Sequence, residues 1–431
     1  MLFKNIAILD ENLDVKTGMN VGIQGNRITY IDDQLPGDPR NYGKAIDGRG
    51  KLLMSGFYNA HAHSPMALMR GYGENLALQD WLNTRIFPFE AKLTGSAVYW
   101  GTMLCMAESL KYGIVSTSDM YYFVSDMAPA VEESGCKNNI SRSIVNPMGD
   151  DYEGMESVAE MKAAVRDLQG AADGRIIIEA SLHAEYTNKE ATARALAEYA
   201  AAEGLGMHVH ISETKSEHDE CKQRHDGRTP VQFLADCGLF DTRSLAAHCV
   251  WIEGEDYDIF RDKGVTVVTN PTSNLKLASG ICDSPRVLSS GINLAIGTDS
   301  VASNNNLDFL SEIKTLALLG QGKAMDPTVV TPREALYAAT RGGALAQGRT
   351  DCGLLKEGYR ADLIMLDISD INMAPVHDMV NNLVYSADAG NIRMTMVDGK
   401  ILYKDGEYVT IDKEKTIEMV QKETEKILAQ L

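Results

Sequence analysis

The sequence predicts an α/β protein: a (β/α)8 TIM-like barrel carrying a small β-sandwich domain built from the two ends of the chain. Three observations lead there. Through the middle of the 431-residue chain, eight strand-like apolar runs alternate with helix-length segments. Both ends read instead as short strands and turns, each with too few apolar positions to bury a core alone. The place after the first middle strand, where a doubly wound sheet usually carries a Gly-rich phosphate fingerprint, holds His61-Ala62-His63.

The elements follow in order. Runs 5–10, 19–24 and 27–32 are apolar-rich, with Gly25-Asn26 as a turn signal between the last two. Strand-like runs then fall at 51–60, 113–120, 138–145, 175–183, 205–212, 244–250, 265–270 and 292–298. Segments 97–111, 155–168, 189–202 and 255–263 between them have helix length. Strand character returns at 361–367, 392–397 and 400–403, and Asp398-Gly399 is a two-residue hairpin signal. The last segment, 413–431, places Ile417, Val420, Ile427 and Leu431 near helical spacing. Residues 1–54 and 358–431 are thus expected to form one composite β domain with a C-terminal helix. Residues 55–357 form the barrel.

Composition excludes several functions. Lys+Arg 41 against Asp+Glu 60 gives a net charge of −19, which argues against a nucleic-acid partner. No apolar run approaches the ~18 residues of a membrane span, and Asp10 and Glu11 interrupt the N-terminus before a signal peptide's apolar core can form. The seven cysteines are odd in number and none form a Cys-x-x-Cys pair, so buried thiols in a reducing cytoplasm are expected. Homo-oligomers, most often dimers, are the usual state of such enzymes.

The chemistry gathers at strand ends. His61 and His63, two apart on one strand, point to the same side and can share one divalent metal. The fifth strand ends His208-Val209-His210-Ile211-Ser212-Glu213; His210 is a third candidate ligand, and His208, two residues deeper, reads as an interior packing histidine. The sixth ends in His248 and the eighth in Gly297-Thr298-Asp299. Each lies at the C-terminal edge, where barrel active sites are built. The fourth strand ends in His183 and holds no lysine, so no bridging anion is offered and one metal is the better count. Three imidazoles and a carboxylate suit Zn²⁺, with Fe²⁺ or Mn²⁺ as alternatives. With Glu213 free to move protons, the inventory is that of metal-assisted hydrolysis at an electrophilic carbon.

These pieces, with Gly71-Tyr72-Gly73-Glu74-Asn75-Leu76, Phe87-Pro88-Phe89-Glu90, Ala247-His248-Cys249-Val250 and the run from Asn270 through Leu277, resemble the amidohydrolase superfamily in its one-metal aminohydrolase branch. Within it they look like the 5′-methylthioadenosine/S-adenosylhomocysteine deaminases. The resemblance implies that His61, His63, His210 and Asp299 bind the metal, and that Glu213 protonates the ring nitrogen beside the attacked carbon. It implies that His248 and Asp299 orient the water. It also implies that Glu90 and His183 contact the ribose of a purine nucleoside. Taken alone, Glu90 reads as a surface charge, and only the resemblance assigns it to the ribose. Trp81 reads as a purine-pocket wall or a structural tryptophan. Arg142 reads as a group for the polar 5′ end of the substrate or as half of an internal ion pair. The acidic run Gly149-Asp150-Asp151-Tyr152-Glu153 stands where relatives often place a second arginine, which favours a neutral 5′ group. The alternatives are an aminohydrolase of guanine, a pterin, cytosine or a triazine, and a catalytically silent barrel used as a scaffold.

Overall fold

A computed structural model describes residues 1–431. Eight strands form the barrel: β6 (Phe57–Ala62), β7 (Ile114–Tyr121), β8 (Lys137–Ile144), β9 (Ile176–Leu182), β10 (Met207–Ile211), β11 (Ser244–His248), β12 (Thr266–Thr269) and β13 (Leu294–Ile296). Neighbours pair in sequence order and every pair is parallel. The first and last strands form no ladder; β6 meets the chain just past β13 at a bridge between Ala62 and Asp299, where the Asp299 N–H donates to the His61 carbonyl at 3.0 Å, and through Asn59, which donates to Thr298 Oγ1 and accepts the Thr298 N–H. The barrel's lower end is stoppered by residues after the short helix Gly343–Ala346: Gln347 accepts from Ser116 and donates to the Asn59 carbonyl.

The remaining strands form a second, mixed sheet. It contains β1 (Leu2–Leu9), β2 (Val15–Gln24), β3 (Arg27–Asp32), β4 (Ala45–Asp47), β5 (Lys51–Ser55), β14 (Leu363–Asp367), β15 (Ile392–Val397), β16 (Lys400–Lys404) and β17 (Glu407–Tyr408). Its order is β17-β16-β15-β14-β5-β1-β2-β3, with β4 beside β1, so β14 from the C-terminal end sits next to β5 from the N-terminal end. The two expected layers of a sandwich are here one sheet, curled until Arg27 on β3 bridges Arg360 just before β14. Alternation along the strands sorts its faces. Leu53, Leu363 and Met365 join Phe3, Ile8 and Val21 inside the curl, whereas Leu52, Met54, Ile364 and Leu366 join the main core against the barrel. No helix is long and apolar enough to cross a membrane.

One sequence reading needs correction. Run 51–60 is not a single barrel strand; it splits at Gly56, the first half entering the curled sheet and the second starting the barrel. A side chain at Gly56 would sit 2.3 Å from Val115 Cγ1, so the crossover between sheets requires a glycine. The hairpin at Asp398-Gly399 is as read, with φ of 47° and 75°, the two left-handed residues of a tight turn. The final helix runs Lys413–Leu428 and packs on the helix Gly95–Lys111.

The seam between sheet and barrel carries a buried ion pair. Lys137 on β8 binds Asp362 and, at 2.9 Å, Asp398. Asp362 also accepts from Tyr58 Oη at 2.9 Å and from the Asp398 N–H at 2.8 Å. Burial alone would raise the Asp362 carboxyl, but Lys137 holds it below its ordinary value. Removing one partner of a buried pair strands the other charge, which typically costs ~3–5 kcal/mol. Asp398 stays beside Lys137, so Asp362→Ala is expected at the low end, about 3 kcal/mol. Urea unfolding followed by fluorescence and circular dichroism checks this; a loss below about 1 kcal/mol would mean the seam is not held by this pair.

Candidate active site

The C-terminal ends of β6, β10, β11 and β13 bring the predicted residues together. Each metal-candidate histidine has its Nδ1 engaged: His61 with His208 Nε2 at 2.8 Å, His63 with the Met120 carbonyl at 2.5 Å, and His210 with the His183 carbonyl at 2.6 Å. These contacts fix ring orientation and leave the Nε2 atoms turned toward one another. His63 Nε2 lies 3.4 Å from His210 Nε2. Asp299 Oδ1 lies 3.3 Å from His63 Nε2 and 3.6 Å from His61 Nε2. Two donors ~2.1 Å from a tetrahedral ion stand about 3.4 Å apart, so this spacing is that of a ligand set. His61 Nε2 is fully buried without any hydrogen-bond partner, a cost that a cation would relieve.

The protonation states of His61, His210 and Asp299 agree with ligation; burial would lower the His63 ring, but Asp299 raises it above its ordinary value. Burial pushes the His61 and His210 rings well below their ordinary pKa, keeping them neutral. Burial would raise the Asp299 carboxyl, but the adjacent His61 and His63 rings hold it well below the carboxylate range. The donor set therefore fits one divalent cation held by His61, His63, His210 and Asp299.

His208 is not merely a packing residue. Its Nε2 is the partner of His61 Nδ1, so the deeper histidine of the fifth strand orients a candidate ligand. The run Asn270–Leu277 also acquires a role. Ser273 Oγ donates to Asp299 Oδ2 at 2.6 Å, and Asn274 Oδ1 lies 2.8 Å from His248 Nδ1. Glu213 stands just beyond β10, its Oε1 accepting from Ser279 Oγ at 3.1 Å and its Oε2 3.8 Å from His248 Nε2. Buried Glu217 accepts the backbone N–H groups of Ser212, Glu213 and Thr214, which locks this turn. Burial raises the Glu213 carboxyl above its ordinary value.

Above the cluster lies a cavity of about 670 Å³. Glu90 and His183 line it, and Trp81, Leu82, Ile86 and Phe87 form an apolar wall. Glu90 accepts from Tyr121 Oη at 2.8 Å, and burial pushes its carboxyl up to about 7. The His183 ring is pressed by burial down to about 4 and is neutral. Arg142 is not in this cavity. Its Nε donates to Glu160 at 2.5 Å, and its guanidinium lies 4.8 Å over the Tyr122 ring. Sequence reasoning missed Tyr121, Tyr186 and Glu217. The first two carry no motif, but Thr214-x-x-Glu217 is a readable capping box.

A parallel barrel with a His/Asp cluster at its C-terminal mouth defines a metal-dependent hydrolase. The chain belongs to the amidohydrolase family, whose model matches residues 52–402. It is 40% identical to a 5′-deoxyadenosine deaminase of Methanosarcina mazei, covering 100% of this chain and 99% of the relative. It is also 40% identical to a 5-methylthioadenosine/S-adenosylhomocysteine deaminase of Dictyoglomus thermophilum, covering 88% of each chain. Among solved structures, a zinc-bound adenosine deaminase from Xanthomonas campestris superposes with a TM-score of 0.92 at 29% identity, covering 99% of this chain and 98% of that one. A zinc complex of atrazine chlorohydrolase from Arthrobacter aurescens shares the fold, with a TM-score of 0.90 at 22% identity over 98% of this chain and 99% of that one.

Purified protein is expected to carry about one divalent ion per chain by elemental analysis. Because the ion binds the folded state alone, saturation at ~1,000 Kd adds about 4 kcal/mol, and chelation lowers Tm accordingly. Asp299→Asn and His210→Ala should each lose most of the ion and most of that chelator-sensitive stabilisation. Full occupancy in either variant would remove that residue from the ligand set.

Proposed function

We propose that this enzyme is a hydrolytic deaminase of adenosine-type nucleosides, releasing ammonia and the inosine analogue. One observation carries the reading: a single cavity is lined both by the metal-candidate residues His63, His210 and Asp299 and by Glu90 and His183. A purine laid against Trp81 and Ile86 brings its amino-bearing carbon toward Asp299 and places its ribose hydroxyls within reach of Glu90 and His183. Zinc is the favoured ion for three imidazole nitrogens and one carboxylate, and the zinc in the Xanthomonas relative supports it. A bound divalent cation supplies an activated water at neutral pH.

The protein's own groups do the rest. His248, held by Asn274, and Asp299, held by Ser273, orient the water and take its proton. Glu213, whose raised pKa suits it to hold a proton, delivers one to the ring nitrogen beside the attacked carbon. The carbon becomes tetrahedral, the amino group takes a second proton, and ammonia leaves. Segments 1–54 and 358–431 serve as one supporting domain behind the catalytic barrel, residues 55–357. The seven cysteines are free and buried, which fits a reducing compartment.

Two outcomes test this reading. Glu213→Gln keeps the side chain's shape and removes its exchangeable acid, so kcat should fall by about 10²–10⁴ with metal content unchanged. Loss of the ion in that variant would make Glu213 a ligand instead. The second test concerns the ribose. A site built to hydrogen-bond a substrate hydroxyl rejects analogues lacking it by ~10⁴–10⁵. Adenine should therefore be a far poorer substrate than adenosine or 5′-deoxyadenosine in an ammonia-release assay. Glu90→Ala should lower kcat/KM for the nucleosides and leave any adenine turnover unaffected. If a free base, a pterin or a triazine is turned over best and Glu90→Ala changes nothing, the metal chemistry stands and the nucleoside assignment falls.

A further inference from the structure

Asp299 Oδ2 is gripped by two serines from separate segments. Ser273 Oγ lies 2.6 Å from it and Ser303 Oγ 3.1 Å, and the two hydroxyls stand 2.9 Å from each other. Ser273 belongs to the short helix Pro271–Lys276 after β12, and Ser303 to the helical turn Val301–Asn304 just beyond Asp299. The residue next to each serine is held by one and the same side chain. Glu312, in the first turn of the helix Phe309–Ala324, accepts the Thr272 N–H on Oε2 at 3.2 Å, and Asn304 Nδ2 donates to its Oε1 at 2.8 Å. Asn304 Nδ2 also donates at 2.9 Å to the carbonyl of Thr298, the residue before Asp299. The segment with Ser273 carries Asn274 as well, whose Oδ1 meets His248 Nδ1. One carboxylate therefore spans the two segments that aim Asp299 and His248.

Glu312 is a costly choice for a brace. It is buried, and both groups it binds are neutral. Burial pushes its carboxyl up to about 7, and nearby Asp308 pushes the same way. A buried charge without a cation is held only by its hydrogen bonds. A neutral amide could not replace it. Glutamine has one acceptor oxygen, and its NH2 would face one of the two donors.

We infer that Glu312 is a positioning residue for the hydrolytic step: by bracing the Ser273 and Ser303 segments it holds the Asp299 carboxylate against the candidate metal site and His248 beside the attacking water. It touches neither the ion nor the substrate. The inference rests on the deaminase reading above for its assay, and on ligation by Asp299 for a second readout that needs no turnover.

The experiment compares wild type, Glu312→Gln, Ser273→Ala and the double variant, all metal-loaded, with 5′-deoxyadenosine as substrate. Misplacing a positioned group by about 1 Å can cost ~10²-fold, so Glu312→Gln should lower kcat at least about tenfold while KM stays within about threefold. Its Tm should change little, because the charge it removes was itself costly to bury. The double variant should be little worse than the worse single one, since both changes act through Asp299. With cobalt(II) in place of the native ion, the visible absorption bands of Glu312→Gln should shift from those of wild type, because one ligand has moved. Should Glu312→Gln not fold, Asn304→Ala, which cuts one arm of the brace and leaves the Thr272 contact, carries the same expectations. A kcat within about threefold of wild type together with unchanged cobalt bands overturns the inference. A lowered Tm with kcat and cobalt bands unmoved also overturns it and leaves Glu312 a structural brace alone. If wild type deaminates no nucleoside, the nucleoside reading fails and the cobalt bands decide this inference by themselves.

Discussion

The geometry of the mouth rests on how the barrel closes. Seven of its eight junctions are ladders, but β6 meets the chain just past β13 at the bridge between Ala62 and Asp299 and through Asn59 and Thr298. That bridge lies between the residues that chemistry needs closest together, because the hydrogen bond from the Asp299 N–H to the His61 carbonyl also sets the carboxylate beside the His61 and His63 rings. Gly297 makes the approach possible. A Cβ there would stand 2.3 Å from Asn270 Oδ1 and 2.7 Å from His61 Cβ. Asp299 itself takes a left-handed backbone, φ 59°, a conformation that aspartate tolerates better than most residues. Closure of the fold and assembly of the candidate ligand set are thus one event.

Burying so many polar groups at this closure demands full partnering, and the protein meets the demand asymmetrically. Around the cluster, His61, His63 and His210 each spend Nδ1 on protein and keep Nε2 for the centre. Asp119 is buried yet accepts from Ser64, through both N–H and Oγ, and from Asn138. It thereby pins the loop that follows His63. Glu217 does the same for the turn that carries Glu213. Among the candidate ligand atoms, His61 Nε2 is buried without a hydrogen-bond partner, where an ion is expected.

The features legible in the sequence were those with a local signature. Periodicity located all eight barrel strands because each is a short apolar run between helices. His-x-His, His210, His248 and Gly-Thr-Asp could be aligned because they sit at comparable places on those runs. The remaining features depend on contacts between segments distant in sequence. Gly56 and the domain boundary at 54/55 mark where 51–60 divides, but that a glycine is required there shows only in the fold, where a Cβ would meet Val115. His208 looked like packing because its partner, His61, lies 147 residues away. Arg142 left two readings open because its partner Glu160 belongs to the next helix, Glu156–Leu168, and only the folded chain shows that they pair.

Chemistry and selectivity are carried by different parts of the chain. The candidate metal ligands stand on or just beyond strands whose spacing the barrel dictates, and a shift of one would disturb the rest. The apolar wall comes from the excursion between β6 and β7, where Trp81, Leu82, Ile86 and Phe87 lie on short consecutive helical turns. Glu160, the partner of Arg142, comes from the helix after β8. These segments touch the strand ends only through side chains such as Tyr121 and Tyr122, so they can change composition without moving the cluster. A fold organised this way can keep one hydrolytic step while altering which heterocycle, and which substituent on it, is presented. A chlorohydrolase at 22% identity superposes over nearly the whole chain, so this fold persists through wide change in sequence.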